Sequence, residues 1–325
     1  MNAEEILKKV AILNSGKGND IGILKELDAL GLILAPGEDT SAYKDRIEKL
    51  LNTINNFDKD IAEKKHLDLF DCIKLDEERR IPSDIIDEAG EINSKYYSFK
   101  INWVPGFFMK KSLGFLWGGC AITFPDNNLS IFLIRSNFSQ KKKWLFYKRD
   151  ELLAHELCHI ARAPVKDFIY EEFFAYRISP SGLRRYLGNC FRSSYDAVCF
   201  ITPFFLLLTA QIIQTFTSFT QLPVYPFWVI TGIYPLFLLI RNQIARNYYF
   251  HAEANLKKAG IPTALQILFR CSKSEIQTIA AFSKDILGLK EWLAKQANTH
   301  LRWQVIYERF MSEEGITELY PEFDF

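Results

Sequence analysis

Charged residues are spread along most of this chain, but none occurs between Ala197 and Ile240, a run of 44 positions that also lacks histidine. A polar break at Ser218-Phe219-Thr220-Gln221 divides the run into 197–217 and 222–240. Each half approaches the roughly 20 apolar residues that a helix needs to cross a bilayer core. Pro203, Pro223, Pro226 and Pro235 would harm a soluble helix, and are better tolerated in membrane helices, where neighbours re-satisfy the backbone. Tyr225 and Trp228 lie near one end, as interfacial aromatics do. The pattern predicts a two-helix transmembrane hairpin. The alternative is a helical hairpin buried in a large soluble core, but core helices seldom lack charge for so long. Arg184, Arg185 and Arg192 precede the hairpin, Arg241, Arg246, Lys257 and Lys258 follow it, and its loop has no basic residue. The positive-inside rule then puts both flanks, and so both termini, in the cytoplasm.

Elsewhere the periodicity is that of a folded α+β protein. Residues 1–60 read as an accessory module of three helices, about 3–13, 21–33 and 41–57, with Thr40 or Ser41 capping the third. The next region is expected over 61–192; the charged and mixed stretch at 58–95 leads into it and holds a short helix opened by Pro82-Ser83-Asp84. The segment 99–138 is rich in aromatic and β-branched residues. Strands are expected near 113–124 and 129–135, joined by the turn Pro125-Asp126-Asn127-Asn128. Lys141-Lys142-Lys143 reads as a solvated loop, with contact to anionic lipid as the lesser reading. Residues 241–325 read as cytoplasmic helices packed on the 61–192 region, with a loop at Gly260-Ile261-Pro262.

Composition narrows the function. The 325 residues carry a net charge of +1, which gives no electrostatic basis for nucleic-acid binding. The cysteines (Cys72, Cys120, Cys158, Cys190, Cys199 and Cys271) form no Cys-x-x-Cys pair and fit reduced cytosolic thiols. The opening MNAEEILKKVAIL has early glutamates and no long apolar run, so a soluble amphipathic helix is expected there rather than a secretory signal.

The chemistry is concentrated in Asp150-Glu151-Leu152-Leu153-Ala154-His155-Glu156-Leu157-Cys158-His159-Ile160-Ala161-Arg162. Residues four apart share one helix face, so His155 and His159 can reach one Zn²⁺. Glu156 then sits beside the ion, where it can take a proton from activated water. Asp150 is the expected N-cap, Leu152, Leu153 and Ile160 the buried face, and Pro164 the stop.

Two histidines leave a catalytic zinc one protein ligand short. A second helix, expected from Asp167 to Tyr176, follows a short turn, which makes it antiparallel to the first and brings Glu172 level with His159. Ala175, one turn later, allows close approach. Glu171 is the second choice, expected to point elsewhere. His251 and Glu253, after the hairpin, are the remaining alternatives, and His251 is also a candidate oxyanion stabiliser. Tyr176 is a further candidate helper in catalysis.

These features together resemble a membrane-anchored gluzincin, a zinc metallopeptidase of the HtpX and CAAX-prenyl-protease group. There a membrane hairpin follows the HExxH helix and a Glu-x-x-Ala-Asp motif supplies the third ligand. Glu172-Phe173-Phe174-Ala175-Tyr176 keeps the Glu and Ala with Tyr for Asp, and His251-Ala252-Glu253-Ala254-Asn255 occupies the position after the hairpin with His for Glu. The resemblance implies a zincin-like domain of a small sheet plus the HExxH helix. It also implies an endopeptidase active at the cytoplasmic membrane face, with polypeptide substrates that include membrane proteins. The strand 129–135 is then a candidate for pairing with an extended substrate. A membrane scaffold that keeps the fold without catalysis is the competing reading, because the pattern's Asp is missing.

Overall fold

A computed structural model describes residues 3–13, 20–70, 73–109, 117–124, 129–216 and 223–319. The chain is mostly helical with small sheets. Helices α1 (Ala3–Ile12), α2 (Asp20–Ala29) and α3 (Thr40–Lys64) form the amino-terminal part. Asp39, rather than Thr40 or Ser41, caps α3: its carboxylate accepts the Ala42 N–H at 2.8 Å. The helix runs on beyond 57 because Ile54, Phe57 and Ile61 extend its buried stripe at helical spacing, and Lys65 ends it in the left-handed region at φ 65°. An antiparallel hairpin, β1 (His66–Phe70) and β2 (Ile73–Asp76), leads to α4 (Ser83–Tyr97).

The central sheet has three strands: β3 (Gly106–Met109), β4 (Gly119–Thr123) and β5 (Ser130–Arg135), in the order β3-β5-β4. β3 runs parallel to β5, and β4 antiparallel. The strand expected over 129–135 is therefore the central one, buried along its whole length, with both edges taken. It cannot accept a substrate strand; the sheet edge next to the HExxH helix belongs to β4. The strand expected near 113–124 covers 119–123, and residues 110–116 and the turn 125–128 lie outside the described residues.

A short hairpin, β6 (Lys143–Trp144) and β7 (Tyr147–Lys148), feeds directly into α5 (Arg149–Arg162), the HExxH helix. Lys148 is its N-cap residue. Asp150 and Glu151 occupy the first turn, where carboxylates favour the helix dipole, so Asp150 is not the cap. A single 3-10 turn containing Pro164 ends the helix. Then come α6 (Glu171–Arg177), α7 (Gly182–Leu187), α8 (Ser194–Phe216) and α9 (Tyr225–Lys258). Five helices close the described chain: α10 (Ala264–Phe269), α11 (Lys273–Ala281), α12 (Ile286–Thr299), α13 (Leu301–Phe310) and α14 (Glu313–Leu319).

α8 and α9 are long and apolar enough to cross a membrane, and only 17% of the most apolar stretch of each is buried inside the protein. Phe204, Phe205, Leu208, Trp228, Ile233 and Leu236 face outward. A hairpin buried in a soluble core would hide these residues. At its base Asp196, a buried carboxylate, pairs with Arg241 at 2.8 Å and accepts the Arg192 N–H at 2.8 Å and the Tyr234 hydroxyl at 3.0 Å. α9 does not stop at Ile240. Its 34 residues span about 51 Å, well beyond a hydrocarbon core of about 30 Å. The lower part buries Ala245, Tyr249, Ala252 and Leu256 against the body of the protein.

One contiguous core runs from Ala3 to Phe310, so the amino-terminal helices share it rather than forming a separate module. Asp28 of α2 is buried between Arg270 and Arg309, which come from the carboxy-terminal part; Arg270 Nε donates to it at 2.8 Å. Burial raises the Asp28 carboxyl, but the two guanidinium groups overcome this and hold it below the usual carboxylate range. Asp28→Ala leaves two buried cations without their counter-ion and should cost about 3–5 kcal/mol. A large fall in the unfolding temperature of the detergent-purified variant checks this, and an unchanged temperature would show that the triad does not hold the two ends together.

Candidate metal centre

Four elements position the HExxH residues. α4 lies along the buried face of α5: Asn93 donates from Nδ2 to the Ala154 carbonyl at 3.1 Å and accepts from the Cys158 thiol at 3.4 Å. Cys158, between the two histidines in sequence, thus faces the core. Arg162, at the end of α5, is completely buried and pairs with Asp167 at 3.1 Å. Asp167 also accepts the Ile169 N–H at 3.0 Å, which fixes the turn into α6. α6 is shorter than expected, starting at Glu171 rather than Asp167, because Asp167 caps this turn instead of extending the helix. Within α6, Phe173 and Phe174 enter the core, where the Phe174 carbonyl accepts the Tyr97 hydroxyl at 2.6 Å. Glu171 and Glu172 are left facing α5.

His155, His159 and Glu172 converge, with their ligand atoms all within 4.8 Å of one another. The two Nε2 atoms lie 3.2 Å apart. Glu172 spans them, Oε2 at 3.5 Å from His155 Nε2 and Oε1 at 3.5 Å from His159 Nε2. A tetrahedral ion with N and O ligands at about 2.0–2.1 Å has ligand–ligand edges of about 3.4 Å. The donor set therefore fits such an ion. Glu171 does not point away, as expected, but binds His159 from behind: His159 Nδ1 and Glu171 Oε2 are 2.9 Å apart. A proton held on Nδ1 by that carboxylate leaves Nε2 as a lone pair for a metal. His155 hydrogen-bonds the backbone of Ala175, and the Tyr176 ring packs edge-on against it at 4.5 Å. Tyr176 is in turn pressed against Gly188, where no Cβ would fit.

Glu156 is oriented by the sheet. Its Oε2 accepts the Ala121 N–H of β4 at 3.0 Å. In the β4–β5 ladder, Phe124 donates to Leu129 and Arg135 to the Gly118 carbonyl, so Gly119, Ala121 and Thr123 direct their backbone groups toward the free edge. The cleft between that edge and the two helices has a volume of about 340 Å³. Phe168 and Arg192 also line it. Neither is marked in the sequence, where Phe168 is one of five aromatic residues between 168 and 176 and Arg192 reads only as a flanking charge. His251 is exposed on α9 and belongs neither to the His155–His159–Glu172 cluster nor to the cleft lining. Glu253 is held by Lys257 at 2.9 Å and by Arg177 at 3.7 Å.

The site's electrostatics suit a cation. Burial raises the Glu156 carboxyl, and pushes Glu172 up to about 7 with help from the charges of Glu156 and Glu171. Burial and the neighbouring His159 charge hold His155 well below the usual imidazole range. Burial works against the charged form of His159 as well, but the Glu171 hydrogen bond and the charges of Glu172 and Glu156 outweigh it, raising His159 to about 9. Comparisons with protein-family models, curated proteins and solved structures find no match to this chain.

Two predictions follow the donor geometry. Glu172→Ala should abolish stoichiometric metal binding, and Glu171→Ala should weaken it about 10- to 100-fold, since it only orients His159. His251→Ala should leave it unchanged. Chelator competition on the three purified variants separates these, and metal loss in His251→Ala alone would move the third ligand onto α9. The second concerns protons. Below pH 9 the metal-free His159 carries a proton that a metal must displace, so apparent affinity should rise with pH toward about 9 and level off above it. Below about 7 Glu172 also takes up a proton, and the dependence should steepen. Calorimetry in buffers of different ionisation heat should show about one proton released at pH 8; none released would mean that His159 is already neutral.

Proposed function

We propose that this chain is a membrane-anchored zinc metallopeptidase with a zincin-like catalytic region that hydrolyses polypeptides at the cytoplasmic membrane face. One observation carries the reading: His155 Nε2, His159 Nε2 and the Glu172 carboxylate form a triangle with 3.2, 3.5 and 3.5 Å sides, beside a buried Glu156. His155, His159 and Glu172 would hold Zn²⁺, with Glu171 and Tyr176 holding the two imidazole rings in place. When bound, zinc supplies Lewis acidity that polarises a scissile carbonyl and lowers the pKa of water toward 7.

Glu156 is the general base. Burial has already raised its carboxyl toward the range in which it takes a proton from water and returns it to the leaving amine. The Ala121 N–H keeps one carboxylate oxygen fixed while the other is available for proton transfer. An extended substrate would pair with the outer edge of β4 through edge-facing backbone groups other than the Ala121 N–H, which Glu156 occupies. Tyr176 supports His155 by ring contact, a positioning role. His251, exposed on α9, is given no part in the chemistry. The basic residues flanking the two apolar helices favour a cytoplasmic site. Against the scaffold reading, Glu171 supplies a carboxylate behind a ligating histidine, the kind of group whose absence motivates that reading.

Glu156→Gln tests the proposal directly. The amide keeps the shape and the Ala121 hydrogen bond but cannot accept a proton. The variant should retain zinc at the wild-type level and lose activity on the order of 10²- to 10⁴-fold. His155→Ala should lose both. Zinc content and cleavage of casein or of a membrane-protein substrate are the readouts. Near-normal turnover by Glu156→Gln would refute the mechanism, and a zinc-loaded wild-type protein that cleaves nothing would favour the scaffold.

A further inference from the structure

Large exposed apolar side chains also occur outside α8 and α9, and one of them, Phe168, lines the cleft of the candidate metal centre. Phe168, in the α5–α6 turn, is 77% exposed, and Leu183 of α7 is 69% exposed. Leu187, one helical turn after Leu183 and on the same face of α7, is also exposed, as is Phe191. This surface is continuous with the hairpin: the Phe191 ring packs edge-on against Phe200 of α8 at 5.4 Å, and Phe200 contacts Phe204 at 5.3 Å.

α9 gives the height of this surface relative to a bilayer. α7 is bonded to the α9 turns just past Ile240. Asn242 donates to the Tyr186 carbonyl at 2.7 Å, the Tyr186 hydroxyl donates to Gln243 at 3.3 Å, and Arg246 donates to the Arg185 carbonyl at 3.1 Å. The cleft mouth is tied to the same turns. Arg192, on its rim, donates to the Arg241 carbonyl at 3.3 Å, and Tyr170, two residues after Phe168, donates to the Ala245 carbonyl at 3.1 Å. At about 1.5 Å per residue, positions 242–246 lie about 3–9 Å beyond Ile240, where the uncharged stretch of α9 ends. The headgroup layer on each side of a bilayer is about 5–8 Å thick.

We infer that Phe168, Leu183 and Leu187 form an interfacial collar that inserts into the lipid headgroup layer and sets the mouth of the metal-site cleft at the bilayer surface. The occupant is lipid. Apolar side chains cover the outward face, the surface is continuous with the hairpin, and Arg185 and Arg246 stand at the depth of the lipid phosphates. This inference rests on the two apolar helices spanning the membrane and is independent of the peptidase chemistry.

The test uses the full chain reconstituted in phosphatidylcholine/phosphatidylglycerol vesicles. A cysteine is introduced singly at Phe168, Leu183, Phe205 or Leu287 and labelled with an environment-sensitive fluorophore, with the labelled unsubstituted chain as the blank. Quenching by lipid spin-labelled near the headgroup is then measured, and for the probe at 205, which lies mid-span, quenching by lipid spin-labelled near the acyl-chain end. Leu287 is 76% exposed on α12 and serves as the aqueous reference; Phe205 serves as the membrane reference. Probes at 168 and 183 should be quenched severalfold more than the probe at 287, with blue-shifted emission. Probes at 168 and 183 that match 287 while 205 is quenched would overturn the collar and leave the hairpin standing. An unquenched probe at 205 would overturn both.

Discussion

The candidate centre depends on the buried ion pair between Arg162 and Asp167. Arg162 closes the HExxH helix and Asp167 caps the turn that starts α6, so the pair fixes the angle between the two helices that carry the ligands. Arg162 is fully enclosed and also donates to the carbonyls of Phe269 and Cys271, while its guanidinium lies over the Phe174 ring at 4.5 Å. One side chain therefore joins α5, α6 and the α10–α11 connection. A surface pair is worth about 0–1 kcal/mol, too little to hold such a joint. Here the desolvated charges have many partners, and removal of either would leave the other stranded.

The joint has to withstand strain that the site creates. Glu156, Glu171 and Glu172 are brought together, and two imidazoles are held with their Nε2 atoms facing. Unit charges about 4 Å apart at an effective dielectric constant of 20 interact by about 4 kcal/mol, more than one hydrogen bond contributes. Without a cation, the raised Glu172 and His159 record part of this cost as retained protons. The packing that opposes it is aromatic: Tyr97 stacks on Phe269 at 4.1 Å, and Phe173 contacts Tyr249 at 4.6 Å. The six residues Glu171 to Tyr176 divide these tasks along less than two helical turns. Two carboxylates face α5, two phenylalanines anchor the core, and Ala175 and Tyr176 support His155.

What was legible in the sequence is what short-range spacing determines. His155, Glu156 and His159 lie within two turns of one helix, and a short turn brings Glu172 alongside, so these four positions follow from helix geometry. Glu171 and Glu172 are neighbours about 100° apart on a helix, and only the packing of Phe173 and Phe174 decides which faces the ion position and which faces the back of His159. The Ala121 bond to Glu156 joins residues 35 apart and depends on strand order, which alternation does not reveal. β3 escaped notice because its four buried residues show no alternation. The continuity of α9 did leave a trace. Leu238, Ala245, Tyr249, Ala252 and Leu256 keep helical spacing across the point where Arg241 suggests a boundary.

That continuity explains how an apolar hairpin and a polar site can share one architecture. A flexible linker after Ile240 would let the body that carries the candidate site tilt and drift against a membrane. A continuous helix removes that freedom, because each residue of α9 has a fixed height and a fixed direction. The turns that follow the apolar stretch bond α7, Arg192 and Tyr170, and the next turn places Tyr249 against Phe173, beside Glu172. Lengthening α9 by one residue between these points would rotate Tyr249 by about 100° and remove it from Phe173. The register of a single helix therefore links the depth of the hairpin to the position of the third candidate ligand.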